Sequence, residues 1–354
     1  MELNSGIYAG ALRRELMLRN RLWAKTRAHV ESYGTAPVIV YGPEGDLHGN
    51  FFDPAYAAIL QNPNWFRRFD KIHAQGRSLP QRLPASSGEQ ARRWRELDSS
   101  MSSDALLMNI FCTPGVQESA SMRAALGVDA KNEPEFGWKA RVPLANGRFD
   151  RTEVDLRWGD LLIEAKLTES DFQTRAASIV ETYRDFDAVF DPELLPQVEL
   201  KAVRRRSARE FPEEYSQEPE EAVDPANLPF AAIIAEAHQS AIAARAWESA
   251  PGARAYVGYQ LIRNVLAAHA ASASFCVLHD ARRPDLREAW FRVMAAVKSA
   301  DLRSRCKVLT WQELVALFPA NLAPLSAFLD SKYGIVKPGG QPALPGDSIL
   351  AHLL

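Results

Sequence analysis

Two neighbouring segments, TEVDLRW (152–158) and DLLIEAKL (160–167), carry the residue types that phosphoryl chemistry needs. Hydrolysing a phosphodiester requires a water made more acidic, and stabilisation of the charge that builds on the leaving oxygen and on the phosphorus oxygens. One or two Mg²⁺ ions held by carboxylates supply both, and a nearby lysine adds positive charge beside the water or the phosphate. Side chains alternate along a strand, so Glu164 and Lys166 share one face with Leu162, while Ile163, Ala165 and Leu167 share the other. Glu164 and Lys166 then stand about 7 Å apart along the strand. On the preceding strand Glu153, Asp155 and Arg157 alternate with Val154 and Leu156. The turn from Arg157 to Asp160 folds the two strands together and brings Asp155 alongside Glu164. Asp155, Glu164 and Lys166 thus outline a metal centre.

The bare spacing is not specific. An acid two residues before a lysine occurs four times, as Asp129-Ala-Lys131, Glu164-Ala-Lys166, Glu199-Leu-Lys201 and Asp330-Ser-Lys332. The first falls at a helix end and the last in a C-terminal loop; Glu199 lacks an acidic hairpin strand before it. Only Glu164 joins an apolar strand, a tight turn and an acid on the neighbouring strand. Its bland alternative is the solvated face of an amphipathic hairpin. The LLI run before Glu164 favours a strand enclosed by protein, where charged side chains are costly without a role.

The surrounding elements must position these residues. Residues 8–32 read as an amphipathic basic helix with Leu12, Leu16, Leu22, Trp23 and Val30 among arginines and lysines. VIVY (38–41) reads as a strand ending in a Gly-Pro turn. Aromatic and basic residues gather in NPNWFRRFDKIHAQGR and ARRWRE, a composition that suits either base stacking with phosphate neutralisation or a packed core. SSDALLMNIFC is an apolar helix capped by Ser102, Ser103 or Asp104. TPGVQESASMRAALGV is a second helix, with Pro114 in its first turn and Gly127 near its end. FGWKARVPL, TEVDLRW and DLLIEAKL form an antiparallel meander joined by Asn-Gly and Gly-Asp turns. An exposed insertion at about 190–252 runs from an arginine cluster into six glutamates, with apolar order returning in FAAIIAEAHQSAIAARAWES, a helix. ARAYVGYQLIRNVLAAHAA is a further helix, SFCVLHD a buried strand, REAWFRVMAAVKSA a helix, CKVLTW a strand and QELVALF a helix. His279 and Asp280 in VLHD, being adjacent at a strand end, read as a polar cap rather than a catalytic pair.

The 354 residues, 47% hydrophobic and 24% charged, are ordinary globular composition for one decorated core or two domains. The net charge of −2 does not advertise a polyanion partner. Residues 1–100 hold fourteen Lys and Arg against ten Asp and Glu, so this segment is the first candidate for a local nucleic-acid contact. Cys112, Cys276 and Cys306 sit apart in apolar runs and read as buried free thiols in a reducing cytoplasm. No secretory leader and no apolar stretch of membrane-spanning length is evident, so a soluble protein without membrane contact is expected. Gly-x-Ser-x-Gly, Walker and dinucleotide fingerprints are missing, and those chemistries are unsupported.

At Asp155, Glu164 and Lys166 the chain resembles the PD-(D/E)xK nuclease superfamily, the fold of many restriction endonucleases, junction resolvases and repair nucleases. More narrowly, ELDSSMSSDALLMNIFC, the Glu-x-Lys strand, YQLIRN and LHDARRPDL look like a bacterial family of restriction endonuclease-like proteins. The resemblance covers most of residues 95–330. It implies an α/β fold: a restriction endonuclease-like core of helix, three-stranded meander, helix and strand, with a mixed central sheet flanked by helices. An N-terminal basic and aromatic region (1–99) would precede a nuclease-like domain (100–354) that the insertion interrupts. It also implies that Asp155 and Glu164 bind Mg²⁺, with Mn²⁺ as a substitute, and that Lys166 completes the pair. Glu118 matches the acid that many members place on the first helix as a further metal ligand. Gln260 of YQLIRN matches a polar residue on the second helix facing the site. Val154 stands where the motif's proline would be. The implied partner is nucleic acid, DNA by resemblance alone, and the implied activity an endonuclease. The competing class is a catalytically silent nucleic-acid-binding or interaction protein that keeps the fold.

Overall fold

The segments that alternate or run apolar in the sequence assemble, in the computed structural model, into one sheet of five strands: β1 (Pro134–Lys139), β2 (Glu153–Trp158), β3 (Leu161–Ala165), β4 (Ser274–His279) and β5 (Cys306–Thr310). Residues 5–32, 37–71, 95–129, 131–151, 153–200 and 252–342 are described. The spatial order is β5-β4-β3-β2-β1. β1, β2 and β3 pair antiparallel, whereas β4 and β5 run parallel to β3, so the sheet is mixed. Trp158 pairs with Leu161 across the two-residue turn Gly159-Asp160, and Gly159 has φ +59°. A two-residue hairpin needs that left-handed conformation, which glycine adopts without steric cost.

Helices cover both faces of the sheet. On one side, α1 (Ser5–Trp23), α2 (Ser103–Phe111), α3 (Ala120–Leu126) and α6 (Ala323–Tyr333) bury Leu12, Leu16, Leu107, Ile110, Leu126 and Leu329 in one cluster with Ile163, Ala165 and Leu278 of the sheet. On the other, α4 (Tyr259–Ala270) and α5 (Pro284–Ala295) bury Leu261, Ile262, Val265 and Trp290 against Leu162, Phe275 and Val277. Leu261, Ile262 and Val265 fall on one stripe of a helix, which fixes the face α4 turns to the sheet. On β3 and β4 the alternation is clean, and successive residues join opposite clusters. The first cluster spans residues on both sides of position 100, so α1 and the strand Ile39–Tyr41 share a core with the sheet.

Several sequence expectations change. The basic helix stops at Trp23, and His29–Glu31 is a strand paired with Ile39–Tyr41. FGWKARVPL splits, because Val142–Pro143 leaves the sheet to pair with Phe149–Asp150 around the Asn146-Gly147 turn. The second helix is only Ala120–Leu126; Ser119 caps it, and Pro114 lies in the preceding turn rather than in its first turn. ARAYV is not helical: Arg254–Val257 is a strand, and α4 starts after Gly258 at φ +82°. Pairing with Thr174–Ala176 and Gln197–Glu199 draws that segment into a second small sheet. Asp330-Ser-Lys332 lies in α6, not in a loop. Most of the insertion, including FAAIIAEAHQSAIAARAWES, lies outside the described residues. No described helix is long and apolar enough to cross a membrane.

Candidate active site

Asp155 and Glu164 are brought together by the hairpin, and there β2 departs from regular pairing. The β2–β3 ladder runs from Trp158 opposite Leu161 to Leu156 opposite Ile163. The pairing ends there, one step short of Asp155 and Glu164. At that step the Ala165 N–H donates to the Asp155 carboxylate at 2.7 Å, so a side chain takes over a ladder position. Val154 packs in the cluster with Leu162, whereas Leu156, two residues on, packs in the cluster with Ile163. A regular strand would put both on one face. Asp155 therefore sits where the strand turns over. On its other side, between the paired residues 136 and 138 of β1, Gly137 adopts φ +64°.

Glu164 and Lys166 are buried, at 3% and 4% exposure. The Lys166 ammonium donates to Glu164 Oε1 at 2.7 Å, and Asn264 Nδ2 of α4 donates to Oε2 at 2.8 Å. Both carboxylate oxygens are thus oriented. Burial alone would disfavour the lysine's charge, but Glu164, then Glu169 and Asp155, outweigh it and hold the ammonium above its ordinary pKa. Asp155 behaves oppositely. Burial, the charge of Glu164 and the charge of Asp104 push its carboxyl well above the usual range, and Lys166 and Lys71 offset this only in part.

A third carboxylate joins from α2. Ser102 caps that helix by accepting the Ala105 N–H, which leaves Asp104 in the first turn free to reach sideways. Arg68 Nη2 donates to Asp104 at 2.7 Å, Arg68 Nη1 lies 2.7 Å from Glu153, and Lys71 Nζ lies within 3.3 Å of Asp104 and 3.2 Å of Glu153. Burial would raise the Asp104 pKa, but these two cations overcome it and hold the carboxyl below its ordinary value. A Cβ at position 137 would lie 2.2 Å from Arg68 Nη1, so Gly137 leaves room for the guanidinium. Glu96 is nearby as well. Burial, with Asp104 and Glu169, pushes it up to about 7.

Two expected site residues fall elsewhere. Glu118 lies exposed in the turn before α3, not on a helix, and its carboxylate accepts the Gly115 N–H at 2.9 Å. Gln260 occupies the first turn of α4, half-buried, and no hydrogen bond joins its side chain to Asp155, Glu164 or Lys166. The polar residue that α4 delivers is Asn264, one turn later and in the same YQLIRN motif. Asp104 is the acid that the helix before the meander delivers. Its signal was an acid just inside an Ser-Ser cap, a position that satisfies the helix dipole equally well and so does not reveal a site.

Among the described residues, no three or more His, Cys, Asp and Glu side chains are arranged as a ready metal cage. That excludes a structural zinc-like site among them. The pair Asp155 and Glu164 fits a different ion, since Mg²⁺ keeps several waters and binds through one or two carboxylates plus substrate phosphates. Burial first, then the neighbouring charges of Glu164 and Asp104, disfavour the ionised form of Asp155, and a bound cation would reverse that preference.

A family model described as restriction endonuclease associating with ARP matches residues 18–334. The chain belongs to that family. No curated protein and no solved structure matches. The family span begins inside α1 and ends just after α6, so it takes in the sheet, both helix layers and every carboxylate described above. It also includes the Arg68–Lys71 segment, which bears two of the cations at those carboxylates.

Proposed function

We propose that the chain is a metal-dependent nuclease of the PD-(D/E)xK type that hydrolyses phosphodiester bonds, with DNA as substrate. The observation that carries this reading is the juxtaposition of Asp155 with Glu164, where Asp155 is pushed toward its protonated form and Glu164 is held by Lys166 and Asn264. Membership of a restriction endonuclease family supports it. So does the order of elements: a helix, three antiparallel strands, a helix and a parallel strand.

In this reading Asp155 and Glu164 would hold Mg²⁺ or Mn²⁺, which would supply acidification of a water and neutralisation of charge on the phosphate. Asp104 stands by as the third carboxylate, in the role first expected of Glu118. Asn264, rather than Gln260, orients Glu164. Lys166 presents a permanently charged ammonium at the same spot, fit to orient the attacking water or to stabilise the phosphorane-like charge. Because it stays charged, it acts as an electrostatic and hydrogen-bonding group, not as a general base.

The alternative of a silent binding protein has one observation in its favour, that both oxygens of Glu164 are already engaged inside the protein. Cleavage assays separate the two. Plasmid and linear DNA incubated with the protein and Mg²⁺ or Mn²⁺ should be cut, and Lys166→Ala should cut at least about a hundredfold more slowly. Equal nicking by both proteins, or none by either across a range of metals, would sink the catalytic reading.

A further inference from the structure

Beside the carboxylates, four cations are arranged in two ways. Lys166 is engaged by Glu164, and Arg68 and Lys71 are engaged by Asp104 and Glu153. Arg263 differs. It is the neighbour of Asn264 on α4, half-buried, and a guanidinium offers five N–H donors. One of them, on Nη2, makes a long 3.4 Å hydrogen bond to the Glu153 carbonyl, and the buried Nε has no hydrogen-bond partner among the described residues. No carboxylate among the described residues forms an ion pair with it.

Its position is nonetheless fixed. The guanidinium carbon stands 5.5 Å from the centroid of the Tyr259 ring, four residues back on the same helix. Such a contact stabilises and orients a cation without using its N–H groups. The Tyr259 hydroxyl bonds to the Tyr183 hydroxyl at 2.9 Å, and Tyr183 donates to Asp150 at 2.6 Å, so the ring is itself held. The guanidinium of Arg175 lies over the same ring at 5.6 Å. Burial lowers the basicity of Arg263, but the charge of Glu164 outweighs it, which places the guanidinium within the field of that carboxylate.

A held guanidinium with donors in reserve, next to a centre already rich in carboxylates, calls for an anion from outside the protein. Its planar fork matches two oxygens of a phosphate. We propose that Arg263 binds a backbone phosphate of the nucleic-acid substrate beside the Asp155–Glu164 centre, with Tyr259 as the platform that orients it. The inference rests on the nuclease reading above and assigns that site its first substrate contact.

The test measures binding on a Lys166→Ala background, so that the substrate stays intact. A labelled short DNA duplex is titrated with the Lys166→Ala protein and with Lys166→Ala/Arg263→Gln over a series of salt concentrations. Loss of one phosphate contact makes the slope of log affinity against log salt shallower by about 0.9, and affinity should fall about tenfold at moderate salt. Arg263→Lys keeps the charge and loses the fork, so it should keep the slope and weaken binding. An unchanged slope in the glutamine variant, with or without a loss of affinity, overturns the assignment to Arg263 and leaves the nuclease reading standing. Should the glutamine variant fail to fold, a lysine variant with undiminished affinity overturns the assignment. Absence of salt-dependent binding by the Lys166→Ala protein, to duplex DNA, single strands or RNA alike, overturns this inference. Cleavage by the unsubstituted protein then decides the nuclease reading separately.

Discussion

The two flanks of the carboxylate centre use arginine in contrasting ways. On one flank Arg68, within the aromatic and basic NWFRRFDK segment, bridges Asp104 and Glu153 and is buried, with Lys71 at the segment's end closing the same quartet. On the other, Arg263 leans on Tyr259 and has no carboxylate partner among the described residues. The first arrangement is closed: every charge has its counter-charge within the protein, and its work is to hold α2 and β2 in place. The second is open, and only an open cation can serve a ligand without first breaking a paired charge. Richness in arginine and aromatic residues therefore does not distinguish the two, but the number of unused donors does. The described part of the N-terminal segment confirms the packing side of the choice posed by its composition. Trp65 is buried and donates to the Pro134 carbonyl, and Phe69 packs with Phe51 and His48.

The contrast can be broken most directly at Arg68. Arg68→Met should destabilise the protein by roughly 3–5 kcal/mol, because it strands Asp104 and Glu153 without their main partner. Arg263→Gln should stay within about 1 kcal/mol of the parent, having no ion pair to lose. Urea denaturation of both variants checks this, and equal losses would erase the distinction between a closed and an open flank. Next in size is Gly137→Ala. A left-handed alanine costs about 1–2 kcal/mol, to which the displaced guanidinium adds. The same substitution in an Arg68→Met background should cost less, since the notch is then vacant; additive losses would show that Gly137 does not serve Arg68.

A further effect is visible only against pH. Glu96 has a folded-state pKa raised from 4.5 to about 7, so between those values the folded chain holds a proton that the unfolded chain has released. Stability contributed by this group is therefore present at low pH and is lost as pH rises through that window. Relative to Glu96→Gln, the parent should lose stability between about pH 4.5 and 7 and run parallel outside it. Parallel denaturation midpoints throughout the window would show that Glu96 does not feel the Asp104 side of the quartet in this way.

How far the site could be read in advance varies from residue to residue. The proximity of Asp155, Glu164 and Lys166 was legible because period-two alternation and a Gly-Asp turn act over a dozen residues. Asn264 was nearly legible: the helix was recognised, but its start was misplaced by the AYV strand, and one turn of helix separates Gln260 from the residue that reaches Glu164. Asp330-Ser-Lys332 shows the opposite error. It repeats the acid-x-Lys spacing, yet Lys332 is wholly buried in α6 and gives its ammonium to Asn20 of α1 at 2.6 Å. Burial, with Arg27 adding to it, depresses that amine well below its ordinary pKa, whereas Lys166 is held above it, so an identical spacing is shifted in opposite directions by its surroundings.

The sequence by itself determined the hairpin that carries Asp155 and Glu164 and the apolar stripes of the helices. Only the tertiary structure decided which outside groups meet that hairpin. Asp104 comes from a helix about fifty residues earlier, Arg68 from still further upstream, and Asn264 and Arg263 from about a hundred residues later. Backbone propensity and turn chemistry act between near neighbours in the chain, and they leave their pattern in the residues themselves. A charge is different, because its meaning depends on the burial and the partner it finds, and both are set by how distant segments pack.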